Sequence, residues 1–164
     1  MLDFTEKVVL ITGSSRGIGR WIARLFAAQG ACVVVHYLSN REAAEETLAL
    51  LEGEGHLLVQ GDIADPAAVT AIVDNVVARA GRIDILVNNA AIYEDHPLAQ
   101  VDFEAWQASW RSTFDTNVIG AANMSYCAAR YMIAQGGGRI VNVSSRGAFR
   151  GEPHFGRGRR AGIC

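Results

Sequence analysis

Thr12-Gly13-Ser14-Ser15-Arg16-Gly17-Ile18-Gly19 lies between an apolar run, Val8-Val9-Leu10-Ile11, and a segment with helical spacing. Glycines let a backbone come close to a ligand, and free N–H groups at a helix start face an anion. A strand, a glycine loop and a helix in that order form the place where a pyrophosphate binds in an open α/β sheet. The competing reading is a structural turn that needs positive φ. Arg16 lies in the loop and Arg41 beyond the next apolar run, while His36-Tyr37-Leu38-Ser39-Asn40-Arg41 carries no acid. Two guanidinium groups without a carboxylate suit a phosphate, through charge-assisted and bidentate bonds. The other reading makes Arg41 the start of a solvated helix face. Cys32, Cys127 and Cys164 form no Cys-x-x-Cys pair and no ligand spacing with the four histidines. No metal site is expected, and the thiols read as two buried and one terminal, in a reducing, cytoplasmic setting.

These residues need a scaffold, and the apolar pattern supplies one. Strands are predicted at Val8–Ile11, Ala31–His36, His56–Gln60, Ile83–Val87 and Arg139–Val143. Helices are predicted from Ile18 to Gln29, from Arg41 to Glu52, from Asp65-Pro66 to near Gly81, over Asp102–Trp110 as a short piece, and over Phe114–Ala134 as a long one. Asp65 reads as a cap with proline in the first turn. Gly30, Gly53 and Gly136-Gly137-Gly138 read as stops. Strands alternating with helices mean a parallel sheet covered on both faces. The expectation is a Rossmann-like, doubly wound α/β fold: three αβα layers around five strands in the order 3-2-1-4-5.

The chain has 164 residues, 50% hydrophobic and 20% charged, with a formal net charge of −2. That composition excludes bulk disorder, and no apolar run reaches the ~18 residues of a membrane helix. Met1-Leu2-Asp3-Phe4-Thr5-Glu6 lacks the order of a secretory signal. The balanced charge argues against a nucleic-acid partner. One domain is expected over residues 1–150. An irregular tail rich in arginine and glycine is expected over 151–164.

The glycine spacing is Gly-x-x-x-Gly-x-Gly, which resembles the short-chain dehydrogenase/reductase family. Asn88-Asn89-Ala90, after the fourth strand, resembles the family's Asn-Asn-Ala-Gly, with Ala91 in place of the glycine. Asp62-Ile63 resembles the pair that borders the adenine. Asn117 matches the family's helix asparagine, and Arg139-Ile140-Val141-Asn142-Val143-Ser144-Ser145 resembles the strand that delivers its serine. The likeness runs from Lys7 to about Gly151 and leans toward the 3-oxoacyl-[acyl-carrier-protein] reductase branch. It implies hydride transfer between a nicotinamide and a small ketone or secondary alcohol, with homo-oligomers among full-length relatives.

The resemblance implies catalytic roles for Ser145, chosen over Ser144, and for Asn117: the serine holds the carbonyl oxygen and the asparagine anchors a water relay. It implies cofactor contacts at Gly13, Ser15, Arg16, Gly17, Ile18, Gly19, Tyr37, Arg41, Asp62, Ile63, Asn89 and Ala90. An NAD enzyme usually carries an acid after the second strand. Its absence here, with Arg16 in the loop and Arg41 just beyond the strand, favours NADP over NAD.

The family's proton donor is a tyrosine with a lysine four residues later. The only lysine here is Lys7, and no tyrosine follows Tyr131. Phe155 and Arg159 echo the pair, but phenylalanine has no proton to give and arginine does not replace lysine. The reading is therefore a C-terminally shortened member, inactive or weak by itself. The alternatives are a catalytically silent nucleotide-binding module and a gene fragment. The fifth strand is expected to end as an unpaired edge carrying Ile140, Val141 and Val143.

Overall fold

The computed structural model describes residues 2–94 and 96–145. Five parallel strands form one sheet: β1 (Val8–Ile11), β2 (Cys32–Tyr37), β3 (Leu57–Gln60), β4 (Ile85–Asn88) and β5 (Arg139–Asn142), in the order β3-β2-β1-β4-β5. Leu10 pairs with Val34 on one side and Leu86 on the other. The sequence-based fold class and strand order therefore hold. The expected tail, 151–164, lies outside the described residues.

Side chains alternate across the strands, and both faces are buried. Leu10, Val34, Val59 and Leu86 pack under α3 (Pro66–Ala80) and a later helix, α5 (Ala121–Ala134), through Val69, Val73, Met124 and Ala128. Val9, Ile11, Val33, Val35 and Val87 face α1 (Gly17–Ala27) and α2 (Arg41–Ala49) through Ala23, Ala27 and Ala44. The buried face of α1 is built from small residues, while Ile18 and Leu25 stay exposed. Their apolar spacing predicted a helix correctly without marking its inner face.

Capping fixes where the helices begin. Asp65 Oδ1 accepts the Ala67 N–H at 2.9 Å and Pro66 occupies the first turn of α3. Asn40 Oδ1 accepts the Ala43 N–H at the head of α2. At the end of the sheet away from the loop, Asp84 Oδ2 accepts the Val8 N–H at 2.9 Å, and Arg82 donates to both carboxylate oxygens. Burial raises the Asp84 pKa. The bonds from Arg82 and Val8 and the charges of Arg82 and Lys7 outweigh it and hold the carboxyl below its ordinary range.

Two expectations need correction. The short helix near 102–110 and the long one from 114 are a single run: α4 (Phe103–Phe114), a π-helical segment (Asp115–Gly120) and α5. In a π segment each N–H bonds the carbonyl five residues back instead of four, so the chain stays helical and the run continues through the junction. Cys32 and Cys127 are free and half-buried rather than buried. β5 closes the sheet with Ile140, Val141 and Val143 exposed.

Candidate functional site

The strand order reverses between β1 and β4, and ligands of open α/β sheets bind where the carboxyl ends diverge. The loops after both strands meet there. Thr12, buried at the end of β1, joins them: its Oγ1 accepts the N–H groups of Asn89 at 3.0 Å and Ala90 at 2.9 Å. Asn89 returns the contact, its Nδ2 donating to the carbonyls of Thr12 and Gly13 at 2.9 and 3.1 Å. Gly13 has φ +63°, and a Cβ there would lie 2.8 Å from Ala90 Cα. Only glycine lets the two loops close to this distance.

Arg16 is the N-cap of α1, in extended backbone, with no side-chain hydrogen bond capping the terminus and no acid in the first turn. The first amides of the helix therefore carry the positive end of its dipole outward. Gly17 follows at φ +55°, and a Cβ there would meet nothing within 4 Å. An uncapped helix terminus beside a backbone with open space in front of it fits a pyrophosphate.

Ser15 and α2 are tied together from behind. Arg20 donates through Nη2 to the carbonyls of Ser15 (2.8 Å) and Ala43 (3.1 Å), and through Nε to Thr47 Oγ1 at 2.8 Å. Thr47 Oγ1 in turn donates toward the Ser15 carbonyl. This network fixes the loop carrying Arg16 against the helix that begins with Arg41. Arg41 is exposed, and its Nε donates to Glu45 Oε1 at 2.7 Å. Tyr37 is buried and donates its hydroxyl to Gln60 Oε1. Tyr37, Arg41, Leu58, Gln60 and Arg79 border a groove of about 620 Å³ along the β3 edge. It lies on the far side of β2 from the crevice between β1 and β4.

The remaining sequence-derived residues divide in two. Asp62 is exposed, with Oδ1 accepting the Ala64 N–H, whereas Ile63 belongs to the core. Asn117 stands in the π-helical segment and clamps the loop after β4 from both sides: Ile92 N–H donates to its Oδ1 at 2.8 Å, and its Nδ2 donates to the Ile92 carbonyl at 2.9 Å. Ser144 and Ser145 follow β5, whose last bond runs from Val143 N–H to the Asn88 carbonyl at 2.9 Å. Asn88 is buried and donates through Nδ2 to Ser125 Oγ and Asn142 Oδ1, each at 2.9 Å. The serines thus leave the sheet beside Asn89 and Ala90.

Four residues of this framework carry no assigned role in the sequence: Thr12, Arg20, Thr47 and His36. An arginine on a helix that packs by alanines, and a threonine among glutamates, were the available signals for Arg20 and Thr47. For His36 the signal was a histidine directly after Val33-Val34-Val35 in a buried strand.

The fold and this loop geometry define a dinucleotide-type α/β domain. The chain belongs to the short chain dehydrogenase family, whose model matches residues 7–157. It is 38% identical over 149 residues to a short-chain type dehydrogenase/reductase of Picea abies, an alignment covering 85% of this chain and 54% of that protein. It is 35% identical over 155 residues to a 3-oxoacyl-[acyl-carrier-protein] reductase of Synechocystis sp., covering 93% and 61%. A solved gluconate 5-dehydrogenase from Burkholderia cenocepacia, in complex with NADP and tartrate, superposes with a TM-score of 0.78 at 36% identity. That match covers 93% of this chain and 58% of the other. The chain thus spans a little over half the length of these relatives. No helix among the described residues is long and apolar enough to cross a membrane.

Proposed function

We propose that this chain binds NADP(H) across the β1–β4 crevice and is by lineage a reductase of small ketones, or the corresponding alcohol dehydrogenase. The observation that carries the reading is the uncapped start of α1 beside Gly17, with no carboxylate between the end of β2 and Arg41 at the head of α2. Gly13, Ser15, Gly17, Ile18 and Gly19 hold the pyrophosphate. Arg16, Tyr37 and Arg41 take the ribose end with its 2′-phosphate. Asp62 and Ile63 border the adenine, Ile63 through its backbone because its side chain is in the core. Asn89 and Ala90 form the wall toward β4. Bound nicotinamide supplies or accepts a hydride. Ser145 donates a hydrogen bond to the carbonyl oxygen as charge develops there. Asn117 keeps the loop after β4 in place and the helix beside it in register for a water.

NADPH should bind more tightly than NADH, because each well-made charge-assisted bond contributes roughly 1.5–3 kcal/mol. Isothermal titration with both cofactors tests this. Equal affinities, or an NADPH preference that survives replacement of both Arg16 and Arg41 by alanine, would overturn the assignment.

A second reading, a catalytically silent nucleotide-binding module, is favoured by one observation. Residues 146–164 contain neither tyrosine nor lysine. Loss of a positioned proton donor costs about 10²–10⁴-fold in rate. NADPH oxidation with a panel of small ketones should therefore fall that far below an intact family member. Robust turnover that disappears in Ser145→Ala would show that another group gives the proton.

A further inference from the structure

The His36 ring is buried beneath the glycine loop and bonded on both sides. The Gly13 N–H donates to its Nδ1 at 3.0 Å, and its Nε2 stands 3.0 Å from the Gly61 carbonyl. Because Nδ1 accepts, the ring proton sits on Nε2 and is donated to Gly61. One rigid ring thus spans the loop after β1 and the turn after β3. Gly13 opens the pyrophosphate cradle, and Gly61 immediately precedes Asp62-Ile63. The main chain of His36 is bonded as well, its N–H to Ser14 Oγ and its carbonyl to the Ser14 N–H, each at 3.0 Å. The strand would therefore stay attached to the glycine loop without the ring. The Gly61 N–H donates to the Tyr37 carbonyl at 3.2 Å, so the turn after β3 is tied to the strand as well. What the imidazole alone adds is a direct side-chain bridge from the Gly13 amide to the Gly61 carbonyl.

We propose that His36 is a positioning residue that sets the spacing between the pyrophosphate cradle and the Asp62–Ile63 turn, and so the affinity for a ligand that reaches from one to the other. The proposal rests on the dinucleotide reading above. A second proton on the ring would point Nδ1–H at the Gly13 N–H and break the link. Burial holds the ring pKa down to about 4, against the Gly61 bond and the charge of Asp62, both of which raise it. The β3 residue paired with His36 is Val59, which brings no charge. The link is therefore closed at neutral pH.

The test uses the full chain with two probes, ADP-ribose, which spans both ends, and inorganic pyrophosphate, which fills one. His36→Asn places an amide oxygen where Nδ1 accepts from Gly13 but is too short to reach Gly61. It should bind ADP-ribose about tenfold more weakly, equivalent to ~1.4 kcal/mol, with pyrophosphate affinity unchanged. An unchanged affinity for ADP-ribose, or parallel loss of both ligands as in general loosening, overturns the proposal. A wild-type chain that binds neither probe overturns the dinucleotide reading and this inference with it. A measurement on the wild type covers the case in which the variant does not fold. Nitrogen-15 spectra at pH 7 should show the Nε2–H tautomer, and saturating ADP-ribose should lower the His36 pKa, by the reciprocity of linked equilibria. The other tautomer, or a pKa unmoved by the ligand, overturns the proposal.

Discussion

Arg41 shows how a side chain's partner decides its use. Its guanidinium already holds Glu45 one helical turn away, at 2.7 Å and in solvent. Exposed pairs of this kind are weak and screened by solvent, so a phosphate can compete for the same cation. On the proposed reading, Glu45 competes with the 2′-phosphate for Arg41. Glu45→Gln should tighten NADPH binding a few-fold at low salt and leave NADH binding unchanged, and titration in parallel checks both. A gain for NADH of equal size would mean that the general field, rather than Arg41, is responsible. The pairing could not be read ahead of the structure, because glutamate four residues on from arginine is equally a solvated face. The same limit explains Thr12 and Arg20. Their partners lie 77 and 27 residues away, and nothing local distinguishes a hub from a filler.

At the scale of elements, the strands were legible because buried parallel strands are uninterrupted apolar runs, and Val8–Ile11 is found where the pattern places it. The head of α3 was legible because Asp65 and Pro66 carry their own reason to be there. The π-helical segment was not, since Asp115–Gly120 differs from its flanks only in which carbonyl each N–H finds. Asn117 was therefore recognisable as a residue before its setting was. The glycine loop gives the sharpest element-scale prediction. Gly13 and Gly17 both have positive φ, but only Gly13 is pressed against another chain segment. Gly17→Ala meets no atom, so its stability cost is the backbone penalty alone, about 1–2 kcal/mol. Its new methyl group would stand in the open space beside Gly17 and, on the proposed reading, should weaken dinucleotide binding. Gly13→Ala carries the same backbone penalty plus the clash with Ala90, and should unfold earlier. Thermal melts with ADP-ribose titrations separate the two. A Gly17→Ala chain that binds normally would remove the pyrophosphate from that terminus.

For the whole molecule, the sheet is held at its two ends by groups that lose their contribution in different ranges of acidity. At the far end, Asp84 is ionised and satisfied, with a folded pKa below 3.8, so its contribution is complete above that value and fades only in strong acid. At the site end, His36 is buried neutral, with a folded pKa of about 4 against an ordinary 6.5. The sign follows from proton counting. Between these two values the unfolded chain binds a proton that the folded chain refuses, so stability falls as pH falls. The stabilisation is complete above pH 6.5 and gone below about 4. A shift of this size corresponds to about 3 kcal/mol at most, a large fraction of the 5–15 kcal/mol that holds a typical domain. The chain should thus weaken between pH 6.5 and 4, before Asp84 titrates. Urea unfolding at pH 7, 5.5 and 4.5 should give a descending series for the wild type. His36→Gln starts lower, because its longer amide leaves the Gly13 N–H without its acceptor, and it should change little over the same range. Parallel slopes in the two chains would show that the loss belongs to the carboxylates and that the His36 ring is not the group that senses acid.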